Sequence, residues 1–270
     1  MSTRTVSRSA RDDAEPSRSQ PRTDQKGIAS VEIAAAILRV VEANPSPMAL
    51  KEIAAAMSFS ASRTHHYLVS LIKCGLLERE HGTLRYRFGS LAMQVGLTAL
   101  GRSGNNSAIV EALRSLRDEI GYSTAYTVWS DRGPLVTHSE EGRAGLSVTL
   151  RLGTVLPMIN SPNAAVYIAW LPDARLKPVL EALAPGVLSL KQLVEIREHT
   201  RKEGGAHASG ARSPQIAAVA APVFGLGGLL TGAISTLGLI GQFDDTPRGK
   251  ASASLHRRAR ELSASLSAGA

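Results

Sequence analysis

The chain has 270 residues and a mass of 28.5 kDa, long enough for two ordinary domains that each bury a core. A hydrophobic share of 43% with 20% charged residues excludes wholesale disorder, and aromatics at 4% leave the cores to Ala, Leu, Val and Ile. The net charge of +8 favours an anionic partner, and the single cysteine, Cys74, excludes an intramolecular disulfide and a multi-cysteine zinc site.

The charge is uneven. Residues 1–104 carry 14 Lys+Arg against 9 Asp+Glu, a net +5, and the remaining 166 residues carry 17 against 14, a net +3. The shorter N-terminal part is the more basic per residue. No signal-peptide core precedes it, which predicts a cytoplasmic protein.

Residues 1–26, rich in Ser, Arg and Asp, have almost no large apolar side chains and read as a flexible, disordered tail. From Ser30 the pattern turns helical. "SVEIAAAILRVVEA" puts Ala34, Ile37, Leu38 and Val41 on one face, with Ser30 as N-cap. "NPSP" breaks the chain, and "ALKEIAAAM" repeats the spacing through Leu50, Ile53, Ala54 and Met57.

A third helix follows, capped by Ser58 or Ser60. At 100° per residue Thr64, Leu68, Leu71 and Ile72 share one side, with Tyr67 at its edge. Ser62, Arg63, His66, Ser70 and Lys73 fall opposite, a basic face that is rich in hydrogen-bonding groups. Gly75 ends the helix. Leu76 to Glu80 and Thr83 to Phe88 then read as two strands around a His81-Gly82 turn. In the second strand Leu84, Tyr86 and Phe88 are expected to pack while Arg85 and Arg87 face out.

Three helices and a two-stranded wing, the third helix basic on its free side, form a winged helix-turn-helix. Such a helix fits the DNA major groove, while wing arginines hold phosphates or the minor groove. DNA-binding candidates are therefore Ser62, Arg63, His65, His66, Lys73, Arg85 and Arg87. Arg63 is the leading base reader, since a guanidinium can bind guanine through two hydrogen bonds; the competing reading is a solvated surface charge. Lys73, Arg85 and Arg87 suit the DNA backbone. His66 faces out toward DNA, and His65 is left between a phosphate contact and a plain helix-surface role. Adjacent histidines point about 100° apart on a helix, so they do not form an i, i+4 metal pair, and no metal is expected. Cys74 is expected as a small buried hydrophobe.

Past residue 105 the pattern alternates. A helix over 107–120 precedes strand-like "STAYTVWS", "PLVTHSE" and "LSVTL"; helices follow near 163–171, 175–183 and 190–203, then a hairpin over 214–240 and a final helix over 247–266. This predicts an antiparallel sheet with helices to the side, an α+β class. The uncharged run from Ile216 to Gly241 is long enough to cross a membrane. "FGLGG" in its middle reads instead as a turn between two buried strands, so no membrane partner is expected. "NSPNAAVYIAWLP" starts a helix with Ser161 as N-cap and Pro162 at the first position, whose positive dipole end suits a carboxylate. Asn160, Ser161 and Asn163, with Ser235 and Thr236 from the hairpin, are the effector-binding candidates; simple capping without a ligand is the competing reading.

The order of these motifs resembles the IclR family of bacterial transcription regulators. "GIASVEIAAAILRVVE" is similar to that family's opening helix, and "LKEIAAAMSFSASRTHHYLVSLIKCGLLERE" to its helix-turn-helix segment. "YRFG" at 86–89 looks like the end of its wing, before a linker helix. "GTVLPMINSPNAAVYIAWLP" and "REHTRKEGGA…IAAVAAPVFG" resemble its C-terminal signatures. The resemblance runs from Gly27 to the C-terminus and implies a GAF/PAS-like effector domain. Departures are concrete: Ala61, Ser62, Arg63, Thr64, His65, His66 and Tyr67 lack the family's usual Lys and Arg positions, which puts the typical operator in doubt. Ile159 stands for the usual His, Ala164 and Ala165 for Gly-Lys, and Ala217 or Ala218 for a frequent Cys, so the pocket is less polar.

The resulting expectation is a tail over 1–26, a DNA-binding domain over 27–89, a linker helix over 90–104 and an effector domain over 105–270. It is a transcription regulator binding double-stranded operator DNA and a small organic, carboxylated effector, without a cofactor. Two half-sites on a two-fold duplex predict a homodimer, and the resemblance allows a homotetramer. No G-x-S-x-G elbow, P-loop or H-E-x-x-H occurs, so no catalytic residue is assigned. An enzyme acting on a small metabolite with an appended winged helix, and an adaptor using the winged helix on another protein, are the alternatives.

Overall fold

A computed structural model describes residues 27–80, 82–101, 106–143, 148–183, 188–210, 215–244 and 246–268. The tail read over 1–26 and the turn residue His81 lie outside these residues. The chain divides into two compact units between Gln94 and Val95.

In the first unit α1 (Ala29–Glu42) buries Ile37 and Val41, and α2 (Leu50–Met57) buries Ile53 and Ala54. The N-cap of α1 is Ile28, not Ser30, which sits inside the first turn. Ser58 ends α2 in the left-handed conformation (φ 54°), so the cap of α3 (Ala61–Lys73) is Ser60, whose hydroxyl accepts from the Arg63 N–H at 3.2 Å. Gly75, at φ 73°, takes the chain out of α3.

Met48–Ala49 (β1), where the "NPSP" break meets the segment read as helix from Ala49, is a short strand. It joins β2 (Leu77–Arg79) and β3 (Arg85–Phe88) in an antiparallel sheet of order β1-β3-β2. Only Tyr86 of the expected apolar face is buried; Leu84 is 78% exposed and Phe88 41%. Tyr86, opposite Met48 and Arg79 in register, is the residue of this strand that joins the core of α1, α2 and α3. The connecting helix α4 (Ser90–Gly101) carries no charged side chain and buries none of its residues.

In the second unit β4 (Ser123–Ser130), β5 (Gly133–Glu140), β6 (Ala206–Ser209), β7 (Ile216–Phe224) and β8 (Leu230–Leu239) make one antiparallel sheet of order β5-β4-β8-β7-β6. The uncharged run is thus the central hairpin. Ala217, Val219, Ala221, Val223 and Ile234 meet α5 (Asn106–Ile120) and α9 (Lys250–Ala268), while Ala220 and Ala233 on the opposite face meet α6 (Pro162–Trp170). Gly232 is needed where it stands, because a Cβ there would lie 2.3 Å from the Tyr126 hydroxyl. No described helix is long and apolar enough to cross a membrane. The fold is α+β, with α7 (Asp173–Leu183) and α8 (Leu190–Glu203) packed on α6.

Two readings change here. The strand expected at "LSVTL" is absent over 148–150, where Val148 and Leu150 pack as irregular chain; 146 and 147 lie outside the described residues. The edge strand β6 was not foreseen, since "AHAS" is too short and polar to show a period.

Ion pairs fasten α9 to α5. Glu119 accepts from Ser254 Oγ at 2.7 Å and pairs with Arg257 and Arg258, and the Arg257 guanidinium holds its carboxyl below the usual glutamate range. A depressed folded pKa stabilises above the unfolded value and is lost as pH falls through the folded one. Glu119→Gln is therefore expected to unfold at lower urea than the parent at neutral pH. The two should converge as pH drops below about 4.

Candidate nucleic-acid interface and effector cavity

Thr64, Leu68 and Leu71 anchor α3 in the core at 0 to 3% exposure. Their burial turns Ser62, Arg63, His66, Ser70 and Lys73 outward, all exposed, with His65 half-buried. The Ser70 hydroxyl is spent on the His66 carbonyl at 3.1 Å. The His65 and His66 rings stand 6.4 Å apart, and no group of three ligating side chains that would hold a metal occurs among the described residues. Arg63 lies with its guanidinium 3.8 Å from the centre of the Phe59 ring. Sequence reading passed over Phe59, although an aromatic four residues before an arginine was the available signal.

The wing arginines are less free than their exposure implies. Arg85 donates to the Pro47 carbonyl at 2.9 Å and to Glu52 at 3.2 Å; Arg87 donates to Glu78 at 2.8 Å across the strand pair. Both remain about half exposed, at 46% and 50%. DNA would have to share or displace those carboxylates. Cys74, expected to be buried, is exposed at the end of α3, because the helix's apolar stripe ends before it.

In the second unit Ser161 caps α6 by accepting from the Ala164 N–H at 3.4 Å, with Pro162 at the first position. Asn160 enters that turn at φ 52°. Asn160, Ser161, Asn163 and Ser235 line one small cavity of about 50 Å³, otherwise walled by Leu150, Leu156, Ile216, Ala218 and Leu237. A second cavity of about 570 Å³ shares Asn160 and Ser161 and adds Gln192, His207 and Ser209 from α8 and β6, none of which is among the effector candidates read from the sequence. No Lys or Arg is among the described residues lining either one. Thr236 does not belong with them. Neighbours on a strand face opposite ways, and Thr236 donates to the Ser123 carbonyl at 3.0 Å on the face covered by α5 and α9.

Beneath α6 a buried polar network ties helix to sheet. The Tyr167 hydroxyl donates to the Thr127 carbonyl at 2.6 Å, and the Thr127 hydroxyl donates to Asn163 Oδ1 at 3.1 Å. Burial pushes the Tyr167 phenol far above its ordinary pKa, so it stays a donor. At the other end of α6, Arg197 and Arg201 donate to the Ile168 and Ala169 carbonyls at 2.9 and 2.7 Å, satisfying acceptors at a helix terminus where Ile168, Ala169 and Leu171 are buried.

Residues 106–264 match the family described as "Bacterial transcriptional regulator IclR C-terminal", and residues 30–81 match the "IclR helix-turn-helix domain". The chain belongs to the IclR family. Among its relatives, the HTH-type transcriptional regulator XynR of Escherichia coli is 25% identical over 224 residues, 81% of this chain and 89% of that protein. The crystal structure of Pseudomonas aeruginosa HmgR superimposes with a TM-score of 0.72 at 25% identity, covering 89% of this chain and all of that one. An IclR homologue from Microbacterium hydrocarbonoxydans, complexed with 4-hydroxybenzoate, shares the fold at a TM-score of 0.71 and 14% identity, over 88% of this chain and 98% of that one. This IclR member is a transcription regulator with a DNA-binding helix-turn-helix and an effector-binding C-terminal domain. Its relatives are named regulators, which removes the enzyme alternative.

Tyr167→Phe keeps the shape of this IclR domain but strips the Thr127 carbonyl of a buried donor. It should cost about 1–3 kcal/mol of stability in denaturant unfolding.

Proposed function

We propose that this IclR regulator binds an operator through residues 27–89, connects and dimerises through 90–104, and answers a small organic effector through 105–270. Ser62, Arg63 and His66 read bases. His65, Lys73, Arg85 and Arg87 hold the sugar-phosphate backbone, the last two by exchanging Glu52 and Glu78 for phosphate. The observation that carries this reading is the division of α3: one side is sealed in the core and the other offers a guanidinium and hydrogen-bonding groups, with Val69 the apolar side chain among them.

The effector is a carboxylate with an apolar body. Its carboxylate is received at the N-terminus of α6, by backbone N–H groups with Asn160 and Ser161, and its body lies along the wall that includes Met158, Ile159 and Ile168. The volume that accommodates it is the larger cavity, within the range of about 300–1,000 Å³ usual for ligand sites. The 4-hydroxybenzoate held by the structural relative has this chemistry, a carboxylate on an apolar ring. Binding biases the arrangement of the two recognition helices in a dimer, and operator affinity changes by the effector's differential affinity for the two arrangements. The protein acts in the cytoplasm.

The test is binding of the full-length protein to DNA from immediately upstream of its own gene, against unrelated DNA, over a salt series. Arg63→Ala should lose about 1–3 kcal/mol of discrimination. Lys73→Ala should weaken both DNAs alike and lower the slope of log K against log salt by about 0.9. Equal binding to both DNAs by the parent protein would sink the operator reading.

The proposed dimer rests on α4. Met93, Val95 and Leu97 are 65%, 57% and 63% exposed on a helix without a charge, a surface that water disfavours. Leu97→Glu is expected to give a monomer in light scattering where the parent gives a dimer.

A further inference from the structure

We propose that Phe59 is a specificity-determining positioning residue, whose ring presets the Arg63 guanidinium for reading an operator base. The inference rests on the operator reading above. Both partners are fixed through their backbones. The left-handed Ser58 closes α2, and the Phe59 N–H donates to the Ala54 carbonyl at 3.0 Å. Ser60 then starts α3, its hydroxyl taking the Arg63 N–H at 3.2 Å and its carbonyl taking the Thr64 N–H at 3.0 Å. The turn between the two helices therefore delivers ring and guanidinium to each other at 3.8 Å.

Packing does not account for Phe59. The side chains that build this unit's core run from Ile33 to Tyr86, and Phe59 is not among them. Its ring is only half-buried. Nor does a carboxylate hold Arg63: among the described residues its guanidinium has no acidic partner, whereas Arg79 leans on Tyr86, Arg85 on Glu52 and Arg87 on Glu78. A guanidinium seated over a ring offers its face to the ring, and its in-plane N–H groups are the donors that two-point binding of guanine uses. A side chain already held in that plane loses less rotamer freedom on binding.

The experiment uses the full-length protein, its upstream operator fragment located by footprinting, and an unrelated fragment of equal length. The ratio of the two dissociation constants measures discrimination. Phe59→Leu is expected to lower that ratio about two- to fivefold, with an unchanged salt slope. Phe59→Tyr, which keeps the π face, should restore the ratio. In an Arg63→Ala background Phe59→Leu should change nothing further. Phe59→Met gives the same comparison if the leucine variant folds poorly, and thermal melts of each variant separate folding from recognition. A leucine or methionine variant that keeps parental discrimination, or that loses it equally in the Arg63→Ala background, overturns the role of Phe59 and leaves the operator reading standing. A parent protein that does not discriminate overturns both.

Discussion

Two adjacent strands without a charged side chain, β7 and β8, have to be covered on both faces, and the C-terminal unit is organised around that requirement. Side chains alternate along each strand, so the hairpin presents one set to α5 and α9 and another to α6. Helices α7 and α8 are then needed because α6, apolar nearly all round, must be covered in turn. The proposed effector cavity follows from the same geometry. Where α6 begins, the capped turn of Asn160 and Ser161 has the smaller cavity on its side toward Ala218 and Ser235 and the larger one on its side toward α8 and β6.

The N-terminal unit solves a smaller problem with few residues. Tyr86 is its one buried aromatic among the described residues, and its hydroxyl still finds Arg79 at 3.0 Å, so a polar atom is carried to the edge of the core without cost. The same short wing fixes Arg85 and Arg87 on carboxylates. Electrostatically this splits the basic residues into two kinds. Paired wing arginines give up an ion pair before they gain a phosphate, a near-exchange in energy at exposed sites worth up to about 1 kcal/mol. Arg63 and Lys73 give up less and gain the more.

Much of this was legible in the chain itself because helical and strand periods are strong signals over eight or more residues. The spacing of Thr64, Leu68 and Leu71 separated the buried and free sides of α3, and α8 was bounded at 190–203 by Ser189 and Gly204, a cap and a left-handed stop. Short elements were not legible: β1 has two residues and β6 four, too few to show a period. Ser235 and Thr236 are consecutive on a strand, so one cavity cannot take both. Leu84 and Phe88 alternate correctly, but alternation predicts a face, and only the packed elements decide whether anything covers it. The Phe59 and Arg63 contact spans the end of one helix and the start of the next, where no periodicity operates.

The lining of the cavity bears on what the proposed effector's selectivity would rest on. With Glu195 and no Lys or Arg among the described residues lining the larger cavity, its carboxylate would be held at the α6 end by helix N–H groups and uncharged donors such as Asn160 and Ser161. A helix terminus contributes about 0.3–1 kcal/mol to an exposed anion and up to about 2 in a partly buried setting. Burying 100 Å² of apolar ligand surface contributes about 2.5 kcal/mol, at roughly 25 cal/mol per Å². The apolar body then supplies the larger share of affinity, and the carboxylate chiefly sets orientation. Side chains such as Met158, Ile159, Ile168 and Ile196, the apolar wall of the larger cavity, are consequently where this regulator would distinguish one small carboxylate from another.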